Sequence, residues 1–269
     1  MRLAFLSDVH GNPIALEAVL NDIAAQGGAD QYWVLGDLVA IGYDPVGVLE
    51  RLCALPSVRA LRGNTERYVL TGDRPPPSEE DVLADPRLMA QFIEVTRGFA
   101  WTAGYLAATG WIGWLEQLPT ELRAQLPDGT RLLAVHASPR ADDSGLRMEM
   151  ADTELRDAVD GAEAEMVLVG HTHWPFARTI GTMQVVNLGS VSNPHGEDKR
   201  ASYVLLTADG AGHEVRHCRV AYDCGAVINA IRQSHHPCQA FLRSHFGPWA
   251  GGAGETIRRL GEPHTTRVK

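Results

Sequence analysis

The first third of the chain alternates short apolar runs with helical patterns, and this order restricts the folds open to it. RLAFLS (2–7) has the composition of a buried strand, and Asn12 and Pro13 then supply an N-cap and a first-turn proline for an amphipathic helix. The next segments have the patterns of a strand, a helix and a strand: QYWVLGD, PVGVLERLCAL and VRALRGN. This βαβαβ order predicts parallel strands joined by crossover helices.

A proline-rich stretch interrupts the alternation. GDRPPPSEED (72–81) cannot continue a helix or a central strand, and residues 85–118 then carry Phe, Trp and Leu at helical spacing. We expect most of these aromatic side chains to form a small core of a helical insertion. Strand patterns return in RLLAVHASP and EMVLVGHTHWP, and three later runs are expected to be adjacent antiparallel strands: MQVVNLGSVSNP, RASYVLLTADG and HEVRHCRVAY. We therefore predict one domain over 1–248 with a helical insertion or cap at 72–118, and a flexible tail at 249–269.

Seven polar side chains follow the predicted strands directly. Ligands collect at the carboxyl ends of parallel strands, so these side chains are expected to meet at one edge. They are Asp8, His10, Asp37, Asn64, His136, His171 and His173. In the Asp-x-His and His-x-His pairs, alternate residues of an extended or turning backbone point the same way, so each pair can reach one site.

The number and type of these donors indicate metal ions. A single Asp-x-His, Gly-Asp or Gly-Asn after a strand is common turn chemistry. All of them in this order, each after an apolar run, predict a metal site. Seven donors are too many for one structural zinc, which is tetrahedral and usually bound by cysteines, whereas two ions that share one carboxylate use them all.

Composition excludes several classes of partner. The formal charge of -9 disfavours nucleic-acid polymers and anionic membranes, so an anionic substrate needs local positive charge, which bound metal ions supply. The four cysteines show no Cys-x-x-Cys spacing, and the apolar N-terminal stretch is too short for a signal peptide. We therefore expect a cytoplasmic protein with reduced thiols and no membrane segment.

The ordered set Asp-x-His, Gly-Asp, Gly-Asn, His and Gly-His-x-His resembles the calcineurin-like metallophosphoesterase superfamily. SDVHGN, GDLVAIGYDP, RGNTE, VHASP and NLGSVSNP are similar to its small bacterial and archaeal phosphodiesterases, the branch related to diadenosine tetraphosphatases. The resemblance spans roughly residues 1–221. It implies a four-layer αββα sandwich of two mixed β-sheets with flanking helices, and a dinuclear site at one edge.

The same resemblance assigns the ligands. Asp8, His10, Asp37 and His173 match the ligands of the first metal, and Asp37, Asn64, His136 and His171 match those of the second, with Asp37 bridging. Among these residues, we expect the metal-held Asp37, Asn64 and His136 to be catalytic. The cofactors would be two divalent transition metal ions, from Mn, Fe, Zn and Co with Mn favoured. A water that bridges ions about 3.5–4 Å apart would then attack phosphorus as hydroxide.

Thr65 departs from the family pattern, because many members have a histidine there that assists the leaving group. A threonine hydroxyl is a poor acid at neutral pH, and general acid catalysis contributes about 10²- to 10⁴-fold, so substrates with stable leaving groups are favoured. The partner is therefore expected to be a small, nucleotide-like phosphodiester or phosphoanhydride. Thr65, Arg67, His195 and Tyr43 are candidates for supporting the metal ligands or contacting the substrate. Arg67, His195 and Tyr43 each have an ordinary surface or packing role as the alternative.

Two other functions stay open. One is a phosphomonoesterase or protein phosphatase, which the missing acid disfavours. The other is a non-catalytic metal-binding scaffold on the same fold, because the superfamily includes a retromer subunit that lost the catalytic histidine. Retention of all seven ligands favours the enzyme. The physiological substrate, the oligomeric state and the role of the insertion do not follow from the sequence.

Overall fold

The computed structural model describes residues 1–196 and 198–246. Ten strands lie within these residues: β1 (Arg2–Leu6), β2 (Gln31–Leu35), β3 (Val58–Leu61), β4 (Glu121–Gln125), β5 (Arg131–Val135), β6 (Met166–Val169), β7 (Phe176–Ile180), β8 (Met183–Asn187), β9 (Ala201–Asp209) and β10 (Gly212–Val220). The helices of the same residues are α1 (Pro13–Ala25), α2 (Pro45–Cys53), α3 (Asn64–Thr71), α4 (Glu79–Ala84), α5 (Met89–Ala108), α6 (Ile112–Glu116), α7 (Asp152–Ala158), α8 (Cys224–Gln233) and α9 (Gln239–Ser244). A 3₁₀ turn, Pro86–Leu88, precedes α5.

The strands form two mixed sheets of five. The first sheet has the order β10-β9-β1-β2-β3, in which β1, β2 and β3 are parallel and β9 runs antiparallel to both β1 and β10. The second has the order β4-β5-β6-β8-β7, in which β5, β6 and β8 are parallel and the outer strands β4 and β7 are antiparallel to their neighbours. The βαβαβ order read from the sequence is therefore confirmed as the parallel part of the first sheet.

Alternating side chains sort the core into layers. In β1, Leu3 and Phe5 face the second sheet, while Ala4 and Leu6 pack under α1 and α2. The core between the sheets also takes Leu132 and its neighbours from β5, β6 and β8. The outer face of the second sheet packs on α7. The result is the predicted four-layer sandwich of helices, sheet, sheet and helix.

The helices of residues 72–118 extend the main core. Phe99 of α5 packs edge-on against Tyr68 of α3, with ring centroids 5.6 Å apart, and both belong to the cluster under the first sheet. Trp111 and Trp114 pack against the same cluster. The expectation of a small separate core was therefore wrong, because these apolar side chains are buried on α3 and the helices of the first sheet.

Three details of the strand predictions need correction. β8, which contains MQVVN, lies in the second sheet beside β6, so it is not adjacent to β9 and β10. β4 and β7 were not predicted. Both are edge strands, and β4 buries only Leu122 fully, so neither shows a long apolar run. A local strand pattern does not specify which strand it pairs with, and for this reason β8 was predicted beside the wrong strands.

Within residues 1–196 and 198–246, none of the helices has the length and apolar character needed to cross a bilayer. The predicted tail, 249–269, lies outside the described residues.

Candidate metal centre

All seven predicted side chains meet at one end of the two sheets. Asp8 and His10 follow β1, Asp37 follows β2, and Asn64 is the first residue of α3 after β3. The second sheet supplies the others: His136 follows β5, and His171 and His173 follow β6. The carboxyl ends of five parallel strands, three from one sheet and two from the other, thus converge on one site.

The side chains form two ligand groups. In each group the donor atoms lie within 4.8 Å of one another, and each group could hold a metal ion. We call Asp8, His10 and His173 the first ligand group, and Asp37, His136 and His171 the second. Asn64 joins the second group, because its Oδ1 lies 2.9 Å from His136 Nε2 and 3.0 Å from His171 Nδ1.

The carboxylate of Asp37 lies between the two groups. Its Oδ2 is 3.8 Å from His10 Nε2 in the first group, and its Oδ1 is 3.4 Å from His136 Nε2 in the second. One carboxylate therefore presents an oxygen to each group, as a bridging ligand requires.

Backbone carbonyls fix the orientation of three histidine rings. The pairs are His10 Nδ1 with Ala40 O (3.0 Å), His136 Nδ1 with Leu35 O (2.7 Å) and His173 Nδ1 with Asn193 O (3.0 Å). Because a carbonyl only accepts, each Nδ1 carries the hydrogen, and Nε2 of the neutral ring presents a lone pair to the site.

Several of these acceptors face one another, which indicates that a cation belongs between them. The Nε2 atoms of His10 and His173 are 3.2 Å apart, and Asp8 Oδ1 lies 3.2 Å from His173 Nε2. That oxygen is buried and accepts no hydrogen bond. A buried carboxylate oxygen without a donor is costly, and a metal ion at this point satisfies it together with both imidazoles. The residues present thus fit a metal centre.

The pKa shifts of Asp37 and His136 show that each stabilises the charged form of the other. Burial opposes charge on Asp37, but His136, His10 and His171 hold the pKa of its carboxyl well below its usual range. Burial also opposes the charged form of His136, yet the Asp37 carboxylate raises the pKa of that imidazole to about 10. For His171, burial and then the charge of His136 lower the pKa to about 4. The site therefore stabilises a cation, whether a proton or a metal ion, beside Asp37.

Five of the seven side chains sit on strained backbone. Positive φ angles occur at Asp8 (57°), His10 (47°), Asp37 (55°), His171 (66°) and His173 (59°). Residues other than glycine rarely adopt this left-handed region, and such strain clusters at functional sites. The sharp turn after each strand directs the side chain back over the sheet edge, where the ligands meet.

Two glycines allow the close approach of these turns. A Cβ on Gly63 would lie 2.3 Å from Asp37 Oδ1, and one on Gly170 would lie 1.9 Å from Ser7 Oγ. Both positions therefore require glycine, because neither leaves room for a Cβ atom. Gly170 brings the end of β6 against β1, and Gly63 brings α3 against Asp37.

Thr65 and Glu66 support Asp37 and the turn around it. The Thr65 hydroxyl and backbone N–H both donate to Asp37 Oδ1, at 2.9 and 3.0 Å. The buried Glu66 carboxylate accepts from the backbone N–H groups of Asp37 (2.8 Å) and Gly63 (2.9 Å), and also from those of the next two residues after Asp37. Burial and the charge of Asp37 raise the pKa of Glu66 to about 7, against the effect of these donors.

The sequence analysis missed the role of Glu66 and of several hydroxyl and amide groups. Ser7 Oγ donates to Asp8 Oδ2 at 2.6 Å, Ser190 Oγ donates to Asp8 O at 2.9 Å, and Asn187 Nδ2 donates to Gly170 O at 2.8 Å. Glu66 had one available signal, since it stands three residues after Gly63, where an acid caps the start of a helix. The others show no spacing that identifies them.

Arg67, a candidate for contact with a phosphate, is paired with three carboxylates in the structure. Its guanidinium donates to both oxygens of Asp142, each at 2.8 Å, and to Asp143 at 2.9 Å. Asp73 lies 3.3 Å away. These bonds, those to Asp142 first, raise the pKa of Arg67. Three carboxylates already balance its charge, so Arg67 ties α3 to the loop after β5.

Tyr43 and His195 differ in their distance from the ligands. Tyr43 is buried against α8 and α9, and its hydroxyl lies 3.5 Å from Asn12 Oδ1. Burial raises its pKa. His195 is exposed beside the first ligand group, where its ring centroid is 5.2 Å from that of His173. Of the two, only His195 contacts a residue of that group.

A family model described as the calcineurin-like phosphoesterase superfamily domain matches residues 1–211. The chain belongs to the calcineurin-like phosphoesterase superfamily. A phosphodiesterase of Escherichia coli (strain K12), YfcE, is 28% identical over 218 residues, which are 78% of this chain and 89% of YfcE. An uncharacterized protein of Methanocaldococcus jannaschii is 25% identical over 252 residues, 87% of this chain and 93% of that protein.

Solved structures show the same calcineurin-like fold. A hypothetical protein from Pyrococcus horikoshii OT3 has a TM-score of 0.75 and 21% identity, covering 91% of this chain and 97% of its own. A metallophosphoesterase from Sphaerobacter thermophilus has a TM-score of 0.66 and 24% identity, covering 91% and 99%. The sandwich that carries the two ligand groups is therefore a fold that both of these solved structures share.

Proposed function

We propose that this chain is a metal-dependent phosphoesterase that hydrolyses phosphodiester or nucleotide phosphoanhydride bonds at a dinuclear centre. The observation that carries the proposal is the pair of ligand groups with Asp37 between them, one carboxylate oxygen facing each. The first ion would be held by Asp8, His10, Asp37 and His173, and the second by Asp37, Asn64, His136 and His171. Imidazole, carboxylate and amide donors suit Mn, Fe, Zn or Co, and we favour Mn.

The chain's own residues orient the reacting groups. Two such ions, when bound, act as Lewis acids toward phosphoryl oxygens and activate water. Ser7 and Thr65 hold the carboxylates of Asp8 and Asp37 in fixed orientations, through hydrogen bonds of 2.6 and 2.9 Å. The carbonyl-bound histidines keep their Nε2 atoms aimed at the site. Supporting contacts of this kind pre-organise a site before the substrate arrives.

Thr65 bears on the class of substrate. Its hydroxyl donates to Asp37 and is buried, so this position offers no proton to a leaving group. Substrates that release a stable anion need such help least, which favours aryl and nucleotide esters or anhydrides. YfcE is a phosphodiesterase by name, and its similarity to this chain supports the diester class.

The test is hydrolysis by purified protein that has been stripped with a chelator and then resupplied with Mn²⁺. Bis-p-nitrophenyl phosphate, p-nitrophenyl phosphate and diadenosine tetraphosphate are compared at equal concentration. We expect metal-restored turnover that favours the diester or the dinucleotide. Asp37→Asn should abolish it, while Asp209→Asn at an exposed turn controls for loss of a carboxylate.

The rival functions give different results. Preference for p-nitrophenyl phosphate would support the phosphomonoesterase or protein phosphatase instead. No turnover of any substrate, with two ions shown to be bound, would support the non-catalytic scaffold. We expect the protein to act in the cytoplasm on small phosphorylated compounds.

A further inference from the structure

Trp174 is an exposed aromatic residue at the candidate metal centre. It follows His173 of the first ligand group directly, and 51% of its surface is accessible. Among the aromatic residues that the structure describes, only Trp174 and Tyr105 are exposed, and Tyr105 lies on α5. An exposed indole ring beside the ligand groups offers a flat apolar face on which a planar ligand can stack.

The ring is supported from one side by the loop that follows Ser192. A Cβ on Gly196 would lie 3.0 Å from Trp174 Cζ3, so the Gly196 backbone lies directly against the ring. His195 meets Trp174 edge-on, with ring centroids 5.9 Å apart and an angle of 78°. Trp174, His195 and Gly196 thus form one surface, which we call the Trp174 platform.

Hydrogen bonds tie this platform to the first ligand group. His195 N–H donates to His173 O at 3.1 Å, and His173 Nδ1–H donates to Asn193 O at 3.0 Å. Asn193 N–H donates to Ser190 Oγ, which donates to Asp8 O at 2.9 Å. The platform and the ligands therefore keep a fixed relative position. Binding then loses little free energy to the ordering of these side chains.

The chemistry of the platform fits a nucleobase. The chain has a net charge of -9, and the cationic Arg67 near the centre is already paired with carboxylates, so aromatic stacking is the contact that the platform itself offers a nucleotide. A flat heteroaromatic ring gains binding free energy by stacking on tryptophan, whichever hydrogen-bond donors and acceptors the ring carries. When the phosphate of a nucleotide lies at the ligand groups, its nucleoside is the part of the molecule that can extend to the platform.

We propose that the Trp174 platform is a nucleoside-binding subsite, on which the base of the substrate stacks while its phosphate lies at the two ligand groups. This inference rests on the proposed function. It assigns the substrate class to nucleotide derivatives, and makes Trp174 a residue that determines specificity.

Binding of two ligands that differ only by the base tests the subsite. Titration calorimetry compares AMP with ribose 5-phosphate on protein loaded with Mn²⁺, whose metal content is measured first. Stacking of one base predicts that the wild-type protein binds AMP roughly 5- to 150-fold more tightly. Trp174→Ala should remove this preference without changing the affinity for ribose 5-phosphate, and Trp174→Phe should keep most of it. Tyr105→Ala, at the other exposed aromatic residue, should leave both affinities unchanged.

The outcomes separate the subsite from the proposed function. Equal affinities of the wild-type protein for AMP and ribose 5-phosphate would overturn the subsite alone. So would an AMP preference that survives in Trp174→Ala, because the base would then be bound by residues other than Trp174. Failure of both ligands to bind the metal-loaded protein would overturn the subsite and the phosphate site together. A full AMP preference in a protein without turnover would keep the subsite and reject the hydrolase.

Discussion

Thr65 supports the site through a hydrogen bond to one of the candidate metal ligands. The sequence indicated that this residue is a poor replacement for an acid and a candidate for supporting the ligands or contacting the substrate. In the structure its hydroxyl is turned inward, where it donates to Asp37 Oδ1. Its function is therefore to fix the carboxylate that faces both ligand groups.

Removing that hydroxyl should weaken metal binding. Thr65→Val keeps the shape of the side chain and the backbone N–H bond to Asp37 but loses the 2.9 Å bond from Oγ1. Loss of such an outer contact costs about 10- to 100-fold in metal affinity, so we expect at least about 10-fold weaker Mn²⁺ binding by titration calorimetry. Thr65→Ser retains the hydroxyl and serves as the control. Equal Mn²⁺ affinity of the valine variant and the wild-type protein would contradict this role.

At the scale of single residues, the sequence predicted the candidate ligands better than the residues that hydrogen-bond to the backbone around them. The seven candidate ligands could be predicted because each follows an apolar run, which is a local pattern, and the structure brings their side chains together. Glu66 and Ser190 act on backbone groups that only the folded chain brings near them, such as Asp37 N–H and Asp8 O. Their positions depend on strand pairing, which no local pattern contains.

Among the structural elements, the turns after the strands carry the tightest packing. Gly170→Ala would place a methyl group 1.9 Å from Ser7 Oγ, and we expect it to lower the free energy of unfolding by about 1 to 3 kcal/mol. Gly104 is exposed in the middle of α5, with no atom within 4 Å of an added Cβ, so Gly104→Ala should raise that free energy by up to about 1 kcal/mol. Urea unfolding measures both. A Gly170→Ala protein as stable as the wild type would show that the turn can relax.

The segment between α8 and α9 should make stability depend on pH. His236 is 4% exposed, its Nε2 has no hydrogen-bond partner, and its ring packs on Trp101 of α5 at 4.5 Å. Burial lowers its pKa to about 4, below the ordinary value of 6.5. Because the unfolded chain takes up this proton more readily, the contribution of His236 is complete above about pH 6.5 and is lost as pH falls toward 4.

Replacement of His236 should therefore flatten the pH profile. Between pH 7 and pH 5 we expect the wild-type protein to lose about 1 to 2 kcal/mol more than His236→Asn, whose amide oxygen can still accept from Cys238 N–H. Urea unfolding at both pH values gives the difference. His235→Asn, at the exposed neighbouring position, controls for removal of a histidine as such. Identical pH profiles of the wild-type protein and His236→Asn would refute the assignment.

For the whole molecule, the ligand groups connect the two sheets. The first group joins Asp8 and His10 of the first sheet to His173 of the second, and the second group joins Asp37 to His136 and His171. The family resemblance implied this sandwich, and the strand pattern predicted the parallel part of the first sheet. It missed the edge strands β4 and β7, because an edge strand shows few buried residues and little apolar alternation.

Metal removal should therefore lower the stability of the entire fold. An ion at 100 times its dissociation constant adds about 2.7 kcal/mol to the free energy of unfolding. For a chain of this size, one ion should raise Tm by about 5 to 10 °C. We expect this rise when chelated protein receives Mn²⁺, and its loss when EDTA is added, by calorimetric scanning. Asp37→Asn should show little of the rise, and a wild-type Tm that ignores Mn²⁺ would argue against ions that bridge the sheets.

The position of β1 also has a consequence for biosynthesis. β1 lies inside the first sheet between β2 and β9, yet β9 begins only at Ala201. Ribosomes add about 5 to 20 residues per second, so the open edge of β1 waits about 10 to 40 s for its second neighbour. During that time the nascent chain offers an apolar strand to any other chain nearby. Synthesis without aggregation therefore requires that β1, which leaves the ribosome first, stays shielded until β9 has been made.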